Sequence, residues 1–206
     1  MMADVKIRPY RPEDRDDVYD VCVRTGDAGA DASDRFRDPE ILGDLFAGPY
    51  VFLAPEFAFV LDDGERVSGY VLGVPDTSRF AEQLRDVWLP MVGDRYPAPA
   101  GPPADADEEM ATLLHRPERF VNPALADYPA HLHIDLLPAF QRTGWGTKLM
   151  RTLLTALHDA GVPRVYLAML TTNTGAAKFY ERLGFHPLDV PDPGPITYLG
   201  RSTQMD

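Results

Sequence analysis

The run HLHIDLLPAFQRTGWGTKLM (131–150), followed closely by TNTGAAKFYERLGF (172–185), decides how the whole chain is read. An apolar strand candidate at 132–137 stops at Pro138, and a short loop leads to Gly144-Trp145-Gly146. Directly afterwards Trp145, Leu149, Met150, Leu153, Leu154 and Leu157 recur at helical spacing. A strand that turns over glycines into a helix start makes an anion site. The glycines let backbone approach the ligand, the first amides have no partner in the helix, and the helix dipole favours negative charge. A dinucleotide fingerprint would need a third glycine where Leu149 stands, and a P-loop would need Gly-Lys-Ser/Thr at the helix start. Neither fits.

Gln141-Arg142-Thr143-Gly144-Trp145-Gly146 does match another pattern, Gln/Arg-x-x-Gly-x-Gly/Ala. A second strand candidate, 164–170, precedes Asn173-Thr174-Gly175-Ala176-Ala177-Lys178-Phe179-Tyr180-Glu181-Arg182-Leu183-Gly184-Phe185. In order and spacing these two motifs resemble those of the GNAT N-acetyltransferase family, over about the last third of the chain. The resemblance implies a mixed α/β fold: a mostly antiparallel sheet, splayed near its centre and flanked by helices, with an acyl-CoA in the splay. It implies acetyl-CoA as cosubstrate, its pyrophosphate cradled by Gln141, Arg142, Thr143, Gly144, Trp145, Gly146, Thr147 and Lys148. It further implies an amide N–H at Leu136 or Leu137 that polarises the thioester carbonyl. Asn173 and Ala177 would lie along the pantetheine arm, and Tyr180 would touch the cofactor and protonate the departing thiolate. A non-functional reading stands beside each of these. Tyr180 next to Phe179 and Leu183 reads equally as core, Asn173 as a helix N-cap, and Arg142 and Lys148 as solvated charges.

Acyl transfer to an amine also needs a base. His131, His133 and Asp135 alternate, so an unbroken strand sets all three on one face. Histidine has a suitable unperturbed pKa, and His133 and Asp135 are the candidates. Relatives resembling serotonin N-acetyltransferase carry a His pair on this strand, but here the pair is one residue out of register. His-Leu-His-Ile-Asp-Leu is also similar to the opening of the metallo-β-lactamase metal motif, giving a metal-dependent hydrolase on His131, His133 and Asp135 as an alternative. The closing ligand position is Leu136, however, and a tight site wants three or four ligands. No metal is expected. A further alternative is a non-catalytic protein that binds acyl-CoA or a glycan.

The chain has 206 residues, with 20 basic and 32 acidic side chains and a net charge of −12. That balance argues against a nucleic-acid scaffold and towards cationic or neutral small partners. The lone Cys22 excludes an internal disulfide and reads as buried filler. MMADVKIRPY carries no signal-like apolar run, and no 18-residue apolar segment exists. The expectation is a cytoplasmic protein without a membrane partner; the sequence does not fix an oligomeric state.

Working outward, one GNAT-like domain over 1–206 is expected, with a Pro-rich and helical insert at about 75–129. The N-terminal half reads as a strand at 5–10, a helix from Pro12 to a stop at Gly26, a loop at 27–38, and a second helix from Asp38-Pro39-Glu40. A hairpin comes next, 57–61 and 66–74 around Asp62-Asp63-Gly64. Gly69 and Gly73 within it suggest a bulge or a close backbone approach. The insert holds 55 residues, nine of them proline. Phe80, Leu84, Val87, Trp88 and Met91 fall on one helical face, YPAPAGPP (96–103) reads as extended loop, and Asp107-Glu108-Glu109 starts a short helix. Its position just before the cofactor strand suggests a lid or wall over the acceptor cleft. An insert of this kind resembles a bacterial branch similar to the acetyltransferase-like domain of O-GlcNAcase. The last element expected is a strand at 196–199.

Overall fold

The computed structural model describes residues 5–205; the first four residues, which belong to the N-terminal stretch read for a leader, and Asp206 lie outside them. Seven strands form one sheet: β1 (Lys6–Pro9), β2 (Ala58–Asp62), β3 (Val67–Val74), β4 (Ala130–Leu136), β5 (Arg164–Leu170), β6 (His186–Pro187) and β7 (Ile196–Ser202). Their spatial order is β1-β2-β3-β4-β5-β7-β6. Every neighbouring pair is antiparallel except β4–β5. Eight α-helices accompany the sheet among the described residues: α1 (Arg15–Arg24), α2 (Glu40–Phe46), α3 (Gly48–Leu53), α4 (Thr77–Gln83), α5 (Leu89–Val92), α6 (Ala106–Leu114), α7 (Trp145–Asp159) and α8 (Thr174–Arg182). This is the mixed α/β, mostly antiparallel architecture expected. No helix among the described residues is long and apolar enough to cross a membrane.

The hairpin turns at Gly64 in the left-handed region (φ 92°). The β2–β3 register slips between Leu61↔Gly69 and Asp62↔Val67, so Ser68 is the extra residue of a bulge. Gly73 serves close packing, since a Cβ there would lie 2.7 Å from Leu153 of α7. Residues at even positions of β3 pair with His131, His133 and Asp135 of β4. Tyr70 on that face meets Cys22 of α1, so α1–α3 cover one face and α7 the other. The apolar stripe of α7, Leu149, Met150, Leu153, Leu154 and Leu157, is fully buried as its spacing requires.

The segment 75–129 departs from its sequence reading. Phe80, Leu84 and Trp88 are buried, but Val87 and Met91 are 41% and 56% exposed. The reason is local: residues Leu84–Trp88 form a π-helical turn, which widens the helix and rotates the next residues off the 3.6-residue face. The insert is also anchored to the helical layer. It packs on α2 through the buried carboxylate of Asp44, which accepts from Tyr19 Oη (2.7 Å), Arg95 Nη1 (2.9 Å) and Tyr96 Oη (3.0 Å), while Trp88 Nε1 donates to the Asp44 carbonyl (2.8 Å). Asp44→Ala leaves two buried hydroxyls, those of Tyr19 and Tyr96, and the half-exposed Arg95 guanidinium without their anion. It is expected to lower unfolding free energy by about 3 kcal/mol, read by urea denaturation; a loss below about 1 kcal/mol would show that the clamp contributes little.

Candidate active site

Strands β4 and β5 pair at only two positions, Ala130↔Val165 and His131↔Tyr166, and then diverge. A cavity of about 220 Å³ occupies the opening. Cys22, Thr25, Gly26 and Phe46 line it from the α1–α2 face, and Asn173 and Tyr180 from α8. His133 and Asp135 project from the β4 wall. No residue of 75–129 lines this cavity; its helical wall comes from α1, the loop after it and α2. Sequence reasoning missed Thr25, Gly26 and Phe46, because nothing local marks a residue brought to the sheet by helix packing.

The register decides which backbone groups face the opening. Leu137 N–H donates to the Ser68 carbonyl (3.0 Å). In an antiparallel ladder the outward-facing pairs alternate with the bonded ones, so Gly69↔Leu136 and Val71↔Ile134 turn the Leu136 and Ile134 amides away from β3, towards the splay. Of the two candidate amides, Leu137 is already engaged by β3 and Leu136 is the one aimed at the opening. Gln141 Nε2 holds the Leu136 carbonyl (2.9 Å) and ties the loop to the strand end.

That loop ends at Gly144, the N-cap of α7, with φ 91°; Arg142 before it also has positive φ (58°). The first bond within the helix is Lys148 N–H to the Gly144 carbonyl (3.2 Å). The amides of Trp145, Gly146 and Thr147 therefore precede it as helix-end donors, with no acidic side chain in the first turn. Thr143 Oγ1 donates to the Phe140 carbonyl (2.5 Å), Lys148 Nζ sits 3.9 Å over the Trp145 ring, and Arg142 and Lys148 are exposed. A Cβ on Gly146 would meet Phe179 at 3.3 Å, so glycine brings α7 and α8 together here. On α8, Asn173 Oδ1 accepts from Ala176 N–H (3.1 Å), so its N-cap role is real, and Ala177 lies one turn on, half-buried.

The three polar residues of β4 have different environments. His131 is fully engaged: Thr77 Oγ1 donates to the Pro129 carbonyl (2.8 Å), so the His131 Nδ1–H donates to Thr77 (2.8 Å) and Nε2 accepts from Tyr50 Oη (2.8 Å). Burial, followed by the nearby His133 and Arg119, holds its pKa well below the ordinary value. Burial, with Arg119, takes His133 down to about 4. Asp135 goes the other way: burial pushes its carboxyl up to about 7, against the lowering pull of Tyr70 and Thr25, with Tyr70 Oη donating to Oδ2 (2.8 Å). A carboxylate of that proton affinity beside a cavity is matched to proton transfer near neutral pH. Burial, and then the charge of Asp135, holds the Tyr180 phenol above its usual value, so it stays protonated. Burial likewise lifts the Cys22 thiol to about 12, which leaves no thiolate to act as nucleophile.

Among the described residues no group of three or more His, Cys, Asp or Glu side chains is arranged to hold a metal ion. A second cavity of about 220 Å³ lies between the insert and Tyr166, outside the splay. Its one carboxylate, Asp76, caps α4 by accepting from Arg79 N–H (3.0 Å). The two strongly shifted acid–base groups that share a cavity, Asp135 and Tyr180, lie in the splay.

A parted pair of parallel strands, with a glycine-turned helix start at its mouth, defines an acyltransferase fold, and comparison with known proteins agrees. The model of the Acetyltransferase (GNAT) family matches residues 109–185. The crystal structure of SsHAT covers 98% of this chain and 99% of its own at 55% identity, with a TM-score of 0.94. Protein O-GlcNAcase of Rattus norvegicus is 27% identical over 200 residues, which is 95% of this chain but only 22% of that protein's length. The yncA protein of Salmonella typhimurium, solved with its cofactor acetyl-CoA, shares the fold at 13% identity, with a TM-score of 0.55 over 98% of this chain and 95% of its own. The chain belongs to the GNAT acetyltransferase family.

Proposed function

We propose that the protein transfers the acetyl group of acetyl-CoA directly to a primary amine, with both substrates meeting in the splay. The observation that carries this reading is the single cavity shared by Asp135 on β4 and Tyr180 on α8, in the gap where β4 and β5 part. The cofactor of the yncA structure fits the same logic, because the residues present suit a polyanionic thioester. The amides of Trp145, Gly146 and Thr147 at the start of α7, with Arg142 and Lys148 beside them, would hold the pyrophosphate. The two donor hydrogens of the Asn173 amide would meet the pantetheine arm, with Ala177 leaving room on the next turn.

In this reading Asp135 accepts a proton from the acceptor ammonium, and the freed amine attacks the thioester carbonyl. The Leu136 N–H bonds the carbonyl oxygen as it gains charge. The C–S bond breaks, the attacking nitrogen gives up its second proton to solvent, and Tyr180 donates its proton to the leaving thiolate and regains one from solvent, as Asp135 sheds the proton it took. The sum is an N-acetyl amide, free coenzyme A and one released proton. His133, at a pKa of about 4, is too weak a base for the first step, so Asp135 takes it.

Tyr180→Phe keeps the ring between Phe179 and Phe185 and removes only the acid. Its kcat is expected to fall by about 10²-fold, with the acetyl-CoA Kd within twofold of the native value. A thiol-release assay on a panel of amines, alongside titration, reads both. Unchanged kcat would take the acid role from Tyr180, and no thiol release with any amine in the native protein would sink the transfer reading itself.

A further inference from the structure

We propose that His133 selects the acceptor by hydrogen-bonding a hydroxyl set close to the reacting amine, so that the acceptor is an amino alcohol. The inference rests on the transfer reading above. His133 and Asp135 are both in the cavity wall and on one face of an unbroken strand. Two positions along a strand span about 6.6 Å, so one small molecule bonded to both side chains carries its two groups on adjacent or next-but-one carbons.

The His133 ring is held by rings rather than by hydrogen bonds. Tyr50 meets it edge-on at 5.0 Å and Phe46 is tilted against it at 5.8 Å. Its neighbour His131 has both nitrogens bonded. Among the described residues the only buried side-chain polar atom without a partner is Arg66 Nε. The His133 nitrogens, which bond to no described residue, are therefore not sealed in the core but open to the cavity. With its pKa near 4 the imidazole is neutral at physiological pH and offers one N–H and one bare nitrogen.

The surroundings narrow what can satisfy it. Asp135 is the one carboxylate lining the cavity, and no lysine or arginine lines it. A second ammonium would lack its own counter-charge and would feel the charge of Arg119, and a substrate carboxylate would face Asp135 with no cation in the cavity wall to bond it. A hydroxyl is neutral and both donates and accepts. A site with an unfilled polar group discriminates against a ligand lacking the partner.

The test compares 1-aminopropane, 1-amino-2-propanol and 1-amino-2-methoxypropane as acceptors for the native protein and for His133→Phe and His133→Asn. Native kcat/KM should favour the amino alcohol over the plain amine by at least about 10-fold. In His133→Phe the ratio should fall to within twofold, and His133→Asn should restore part of it. The methyl ether, which only accepts, tells which ring nitrogen is used. Equal native rates, or a preference that survives in His133→Phe, would overturn the proposal and leave solvent as the partner of the imidazole. If no amine turns over, the transfer reading fails. Titration of the same amines into protein loaded with coenzyme A then still reads selection, tighter amino-alcohol binding supporting the proposal and equal binding overturning it.

Discussion

Asp135→Asn is expected to cut kcat/KM for the acceptor amine by about 10²–10⁴-fold while leaving the acetyl-CoA Kd unchanged. Asparagine keeps the shape and can still accept from Tyr70 Oη, so the loss isolates the proton-accepting function. In the native enzyme kcat/KM should rise with pH through about 7, as the Asp135 carboxyl ionises, and then level off. The variant should lose that limb. The same group makes a stability prediction of opposite sign. Its folded-state pKa of about 7 lies above the ordinary carboxyl value, so the folded chain holds the proton more tightly than the unfolded one. Native stability therefore falls as pH climbs from ~4 to ~7. Removing the charge should raise Tm at pH 8, with a smaller gain at pH 5. A variant that is inactive yet more stable at pH 8 is the signature of a carboxylate retained for chemistry. Reduced Tm at pH 8 would instead mark Asp135 as a structural partner of Tyr70.

Gly144→Val should weaken acetyl-CoA binding by at least about 100-fold, or roughly 2.7 kcal/mol. At φ 91° a β-branched residue is strained, so the turn must rotate, and with it the Trp145, Gly146 and Thr147 amides. A Cβ at Gly144 meets no protein atom within 4 Å; it points into open space at the helix start, where an anion would approach. The fold should survive, because α7 is anchored further on by fully buried Leu149, Met150 and Leu153. Gly144→Asn, which tolerates the left-handed region better, should fall between valine and glycine. Binding unchanged in the valine variant would move the pyrophosphate away from this turn.

These two residues show what the sequence could and could not disclose. Gly144 was legible because a glycine between a strand and an apolar helical stripe has a local meaning, and the hairpin at Gly64 and the Asn173 cap were legible for the same reason. The alternation of His131, His133 and Asp135 also held, since β4 keeps its register from Gly69↔Leu136 to Val74↔His131. Their differing protonation could not be read. It comes first from burial, which lowers both histidines and raises Asp135; Arg119 deepens the histidines' fall, while Tyr70 and Thr25, 65 and 110 positions upstream of Asp135, pull its carboxyl back down. The helix α3 itself went unread. The amide choice likewise needed the Leu137–Ser68 bond, a property of pairing rather than of either residue. The insert was misjudged where a 3.6-residue period was carried through a π turn. Its hub, Asp44, is one carboxylate among many until the fold buries it.

The most direct test of the account is calorimetric titration of acetyl-CoA into the native protein. One molecule bound per chain in the micromolar range, with Gly144→Val abolishing the heat and Asp135→Asn preserving it, is the predicted result. No binding by the native protein would contradict the account at its centre, because the splay, the glycine turn and Tyr180 would then have no thioester to act on.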